Sequence, residues 1–215
     1  MTHNQLIKNT QNLKGVSISK IEESTDGNTL YIHIKLHKRL RGICPHCHKH
    51  VPGYDSKTQE RQWRALDMGT KKVILVSDVH RVKCPEHGVV TEDVTWALHG
   101  SRFTKKFEQQ VAYLAVHQSK KLVCEQMRIN WRTVGSIISR VQKAKEKDPK
   151  AKYENLEAIG VDETSHKKGH TYLTTVVNHL TGEVIWVHEG FGSSVLEKFF
   201  IEIGPEAASK IKMVS

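Results

Sequence analysis

Hydrophobic and polar positions alternate at Leu30, Ile32, Ile34 and Leu36, which are separated by Tyr31, His33, Lys35 and His37. That period of two predicts a strand with one apolar face, and residues 15–22 predict a shorter partner beside it. An apolar run from Lys72 to Asp78 leads into the partly alternating Asp78-Val79-His80-Arg81-Val82, a second β-rich stretch. The period then changes. From Thr104 to His117 the residues Phe107, Val111, Leu114 and Ala115 recur at intervals of three and four, which predicts a helix. Ser119 is placed to cap a short second helix carrying Leu122, Val123 and Met127. Asn130 is placed to cap a third, with Val134, Ile137, Ile138 and Val141 inward and Arg132, Arg140, Lys143 and Lys145 outward. Strands return in Ile159-Gly160-Val161-Asp162-Glu163-Thr164, an apolar strand ending on a carboxylate. Lys167 to His170 then reads as a turn, Thr171 to Asn178 as a strand, Leu180-Thr181-Gly182 as a turn and Glu183 to His188 as a third strand. A helix follows over Ser194 to Ile203, and Lys210 to Val214 begins a fourth strand.

The β-rich half carries two hooks of metal-ligand spacing. Cys44-Pro45-His46-Cys47 is a C-x2-C knuckle, and Cys84-Pro85-Glu86-His87, followed by Gly88, supplies a C-x2-H. Zinc takes four soft or borderline ligands in a tetrahedron, and a two-residue gap lets the backbone fold both side chains of a hook onto one ion. A structural Zn²⁺ held by Cys44, Cys47, Cys84 and His87 is therefore expected, with all four positions filled and none open for a catalytic water. His46, His48 and His50 crowd the first hook and are alternative ligands, so the cysteines are the firmer part of the set. Cys124 lies among the apolar residues of the second helix and reads as core.

Charge sharpens the picture. The chain has a formal net charge of +10, and the excess is concentrated: 12 Lys and Arg stand against 4 Asp and Glu over residues 101–150, but 6 against 9 over 151–215. A basic middle beside an acidic end reads as a polyanion-binding module attached to something else. With a short helix between two longer ones, the middle has the rhythm of a helix-turn-helix, whose last helix enters the major groove by its N-terminal part. Trp131, Arg132, Thr133 and Ser136 are the candidate DNA contacts there, with Arg140 and Lys143 as further cations along the same helix. The chain is read as a multidomain α+β protein: a β-rich zinc ribbon in an N-terminal domain over 1–100, a helical helix-turn-helix over 101–147, a charged linker over 148–154, and over 155–215 the first half, three strands plus a helix, of an RNase H-like α/β domain. The polar N-terminus and the lack of a long apolar run lead to the expectation of a cytoplasmic protein without a membrane partner.

The order of zinc ribbon, helix-turn-helix and strand-borne Asp resembles the ISL-three family of bacterial insertion-sequence transposases. The residues that carry the resemblance are Cys44-Pro45-His46-Cys47, Arg64-Ala65-Leu66-Asp67, Cys84-Pro85-Glu86-His87-Gly88, the helices of 103–143, and Gly160-Val161-Asp162-Glu163 with Lys168-Gly169-His170-Thr171-Tyr172. It implies a DDE transposase, in which two Asp and one Glu on an RNase H-like fold hold two Mg²⁺ ions about 4 Å apart for in-line strand cleavage and transfer. Asp162 matches the first acidic position, whereas Glu163 belongs to the opposite face of the strand and is not expected to be a ligand. The implied partners are double-stranded DNA at the terminal inverted repeats of an element and further copies in a homo-oligomer, and the implied place is the nucleoid. The second Asp and the Glu find no match before Ser215, so the chain is expected to be a C-terminally truncated form that binds DNA without cutting it. The competing reading is a zinc-containing helix-turn-helix transcriptional regulator in which 151–215 is an effector or dimerisation domain.

Overall fold

A computed structural model describes residues 2–145, 151–167, 169 and 171–215, and divides into two compact units, Met1–Ala144 and Lys145–Ser215. Residues 148–150 of the expected linker, and Lys168 and His170 of the expected turn, lie outside the described residues.

The first unit is built on a sheet in the order β1-β2-β4-β3, with β1 Val16–Glu23, β2 Thr29–Leu36, β3 Gly53–Met68 and β4 Lys71–Cys84; β5 Gly88–Thr91 pairs with the end of β4. β1 and β2 are antiparallel, as are β3 and β4, but β2 and β4 run parallel, so residues 37–70 form the crossover between them. One face of the sheet buries Val16, Ile32, Ile34, Leu36, Trp63, Val73 and Leu75, and a short helix, α1 His3–Thr10, lays Ile7 on it. Trp63 meets Trp96 edge-on at 5.3 Å between ring centroids, closing the core from the side of the segment that follows β5. Neither α1 nor β3 follows from apolar periodicity. α1 is started by a reciprocal cap between Thr2 and Gln5. β3 is polar for most of its length and becomes a strand by pairing with the apolar β4 from Thr58 to Met68.

Three helices complete this unit: α2 Lys105–His117, α3 Lys120–Met127 and α4 Trp131–Lys145. Ser119 and Asn130 cap α3 and α4 as expected, accepting from the Leu122 and Thr133 N–H groups, and Thr104 caps α2 by accepting from the Phe107 N–H. Phe107, Val111, Val123, Val134, Ile137 and Val141 form their core, with Cys124 packed against it. Side chains alternate along β3, so Trp63 and Ala65 enter the sheet core while Leu66 packs against the helical core. Asp67, one residue on, pairs with Arg64 and with Arg128, the left-handed residue that ends α3. Arg128 also donates to the Thr70 carbonyl at 3.0 Å. The Arg64-Ala65-Leu66-Asp67 stretch thus fastens the turn between α3 and α4 to the end of the β3–β4 hairpin.

The second unit has the strand order β8-β7-β6-β9, with β6 Ala158–Lys167, β7 Thr171–Asn178, β8 Val184–Glu189 and β9 Met213–Val214. The first three are antiparallel neighbours, and β9 joins β6 in parallel. Helix α5, Ser193–Ala208, kinks at Gly204-Pro205 and packs Val195 and Phe199 against Ile159, Val176, Ile185 and Trp186. Three antiparallel strands, a helix and a parallel fourth strand beside the first give the opening half of an RNase H-like fold. Tyr153, at the end of the charged stretch, is buried in this core and donates its hydroxyl to Glu202 at 2.7 Å.

Candidate metal centre and nucleic-acid interface

The long β3–β4 hairpin determines where the two hooks lie. Its turn is at one end, and at the other it returns the chain from the first hook to Cys84 at the end of β4. The first hook is a tight loop in which the His48 N–H donates to the Cys44 carbonyl and the Cys44 N–H to that of Lys49, both at 3.0 Å, with His48 in the left-handed region. In the second hook, Gly88 has φ +69°, a conformation that L side chains resist, and it turns the chain directly after His87. The ligand atoms of Cys44, Cys47, Cys84 and His87 all lie within 4.8 Å of one another. Cys47 Sγ and Cys84 Sγ are 3.7 Å apart, and His87 Nδ1 is 3.7 Å from Cys44 Sγ and 3.4 Å from Cys84 Sγ. Ligands ~2.3 Å from one tetrahedral ion are separated by about 3.8 Å, so the four residues fit zinc. Burial pushes the Cys44 thiol up, but the N–H groups of Cys47 and His46 and the neighbouring thiols outweigh it and bring it down to about 7. His46 lies tilted against the His87 ring, 5.0 Å between centroids, outside the group of four.

Behind the hooks lies Glu92, which sequence reading passes over. Its buried carboxylate accepts from the Gly42 N–H on one oxygen and from the His80 N–H and ring on the other, each at 2.9 Å. It ties the entrance of the first hook to β4.

On α4 the spacing of four brings Arg132, Ser136 and Arg140 to one face, and Lys143 continues it. Arg132, Ser136 and Lys143 are exposed, and Trp131 is 57 % exposed with the Lys120 ammonium over its ring at 4.5 Å. Thr133 gives its hydroxyl to Asn130 at 2.7 Å and so belongs to the cap. Arg140 departs from the outward placement expected of it. Its guanidinium turns to Glu108 of α2, at 2.6 and 2.8 Å, and Glu108 is fully buried while also accepting from the Ser101 hydroxyl at 2.9 Å. A buried carboxylate needs a cation, and Arg140 is the one within reach. No sequence signal marks Glu108, because its position in α2 is compatible with a solvated acid.

Asp162 differs from its expected place at a strand end. It sits inside β6, because the ladder to β7 continues through Asp162↔Thr175 to Lys167 after the apolar residues stop. It is exposed and accepts from the Thr164 hydroxyl at 2.7 Å. Glu163 points to the other face, where it accepts at 2.7 Å from the N–H of Gly192, the residue just before α5. Gly160, two residues before Asp162, lies against the His179 ring, where an added Cβ would come within 3.0 Å. β9 lies alongside, with the Val161 N–H donating to the Ser215 carbonyl at 2.9 Å, and its direction is toward Asp162. Among the described residues no group of three metal-ligating side chains forms around Asp162. One carboxylate does not fit a two-ion Mg²⁺ site.

Three family models match the chain in order: the zinc-finger of transposase IS204/IS1001/IS1096/IS1165 over residues 41–87, the helix-turn-helix domain of transposase family ISL3 over 92–142, and the DDE transposase of the same family over 159–215. The chain is 40 % identical over 194 residues to the transposase for insertion sequence element IS1557 of Mycobacterium tuberculosis, a match covering 90 % of this chain and 44 % of that protein. It is 25 % identical over 217 residues to the transposase for insertion sequence element IS1001 of Bordetella parapertussis, covering 100 % of this chain and 52 % of that protein. The chain thus spans about half the length of these relatives. No solved structure matches it.

Proposed function

Since this chain belongs to the ISL3 transposase family, whose zinc-ribbon, helix-turn-helix and DDE domains it carries in order, we propose that it is the DNA-recognition part of an insertion-sequence transposase, directed at the terminal inverted repeats of its own element. The observation that carries this reading is the α4 face. Arg132, Ser136 and Lys143 are exposed along one side of a capped helix whose other side is locked into the helical core. Arg132 and Ser136 lie near enough to the N-terminus of α4 to reach base edges, while Lys143 is placed for a phosphate. Cys44, Cys47, Cys84 and His87 hold a structural zinc in this reading, and Asp162 is the first carboxylate of the DDE site. Assembly of several copies on paired ends and residence on the nucleoid belong to the same proposal.

Competition binding with a fluorescent duplex tests it. A duplex of the element's own inverted repeat should be displaced by itself at concentrations at least tenfold below those needed with unrelated DNA, and Arg132→Ala should narrow that ratio. Equal displacement by both duplexes, with affinity governed by salt alone, would reject specific recognition. For the chemistry, the polypeptide of residues 1–215 should leave the same duplex uncut in Mg²⁺ or Mn²⁺. Nicking that disappears on Asp162→Ala would overturn that expectation.

A further inference from the structure

Two hollows adjoin on the first unit. One, of about 360 Å³, lies between the start of α4 and the segment Gly100 to Phe103, with Asn130, Arg132, Thr133, Ser136 and Arg140 on the helix side. The other, of about 610 Å³, lies between that same segment and β3, with Gln59, Arg61, Gln62 and Arg64 on the strand side. Gly100, Ser101, Arg102 and Phe103 line both, so the two form one trough crossing from the helices to the sheet. Five arginines line it, and their partners divide them. Arg64 is half-buried, pairs with Asp67 and lies over the Phe107 ring at 5.3 Å; Arg140 pairs with Glu108. Arg61, Arg102 and Arg132 have no carboxylate partner among the described residues, and Arg61 is held only by the neutral Gln59 and Thr91 side chains.

The segment between the hollows is fixed. The Arg64 N–H donates to the Arg102 carbonyl at 2.8 Å, and the Thr104 N–H returns to the Arg64 carbonyl at 2.9 Å. Ser101 is bonded to Glu108, which also holds Arg140 of α4. Arg102 is therefore presented on backbone anchored to both walls, which lowers the ordering cost of a contact made there. Cations without carboxylate partners, spaced along a polar trough that continues the recognition helix, suit the phosphate backbone of a duplex better than any apolar partner.

We infer that the DNA-binding surface extends from α4 across Arg102 onto β3, so that Arg102 and Arg61 grip the backbone beside the groove that α4 enters. This rests on the proposed DNA recognition and adds a second, sequence-independent contact supplied by the zinc-bearing sheet. The test is the salt dependence of duplex binding by the zinc-loaded protein, wild type against Arg61→Gln, Arg102→Gln and the double variant. Each single change should weaken binding to element-end and unrelated duplexes by the same factor, and the double variant should lower the slope of log K against log salt by about 2. Hydroxyl-radical cleavage should show the protected backbone shortened on one side only. Unchanged slope and footprint in the double variant, with wild type still binding and Arg132→Ala still altering sequence preference, would overturn the extension and leave helix-turn-helix recognition standing. A wild-type protein that binds no duplex would instead sink the recognition reading itself. Zinc content and far-UV circular dichroism equal to wild type show that a variant is folded, and Arg61→Lys should recover most of the slope.

Discussion

Glu108 shows how much one side chain decides in this protein. It is fully buried, its Oε1 gathers Ser101 and Arg140, and its Oε2 has no hydrogen-bond partner among the described residues. Arg140→Ala would strand that charge, at a cost of about 3–5 kcal/mol, whereas Glu108→Gln removes charge and partner demand together and should cost less. Urea titration of the two variants should order them that way, and the reverse order would mean that the pair is not the anchor it looks to be. The spacing of α4 groups Arg140 with Arg132 and Ser136, but only packing reveals the acid opposite it. The cysteines are the contrary case, since their two-residue gaps were legible as metal hooks without any knowledge of the sheet. Cys44→Ser should abolish uptake of one zinc equivalent, measured by metal analysis after dialysis, while most of the far-UV signal survives because Ile32, Ile34, Trp63 and Val73 pack independently of the ion.

At the scale of elements, α5 is held to the second sheet by a polar tie as well as by Phe199. Glu202 accepts from Tyr153 at 2.7 Å and from the Trp186 indole at 2.8 Å, and these hydrogen bonds hold its carboxyl below the ordinary value. A depressed folded pKa contributes stability that is fully present above the ordinary glutamate value and is lost as pH falls through the folded one. Glu202→Gln should therefore flatten the acid limb of stability against pH, by about 1 kcal/mol because the carboxylate is largely solvated, read from Trp186 fluorescence during urea unfolding. Helices α2 to α5 and the strands β1, β2, β4, β6, β7 and β8 were legible because each carries apolar residues in a pattern suited to its element. β3 was not, because Gly53 to Gln62 carries almost no apolar residue and gains its strand from the partner ladder. α1 could have been found from Thr2 and Gln5 alone, whose spacing is that of a capping box. The end of β6 was misplaced for a related reason: hydrogen bonding continues past the last apolar residue, so Asp162 stands within the ladder.

Across the whole molecule, each unit has its own core, and all four zinc-site residues belong to the first. Chelating the metal should raise hydrogen exchange in β4 and leave β7 at its original rate, a contrast that a zinc site shared between the units would erase. The crossover geometry adds a matter of timing. Cys44 and Cys47 reach Cys84 and His87 because the β3–β4 hairpin folds back on itself, and that pairing extends over Thr58↔His80 to Met68↔Lys71, none of whose pairs includes a ligand residue. The ion is therefore expected to meet a pocket whose walls the hairpin has already raised, as a latch rather than a seed. In a refolding experiment, withholding zinc should leave the early appearance of sheet unchanged, and zinc added seconds or minutes later should still be captured at full stoichiometry.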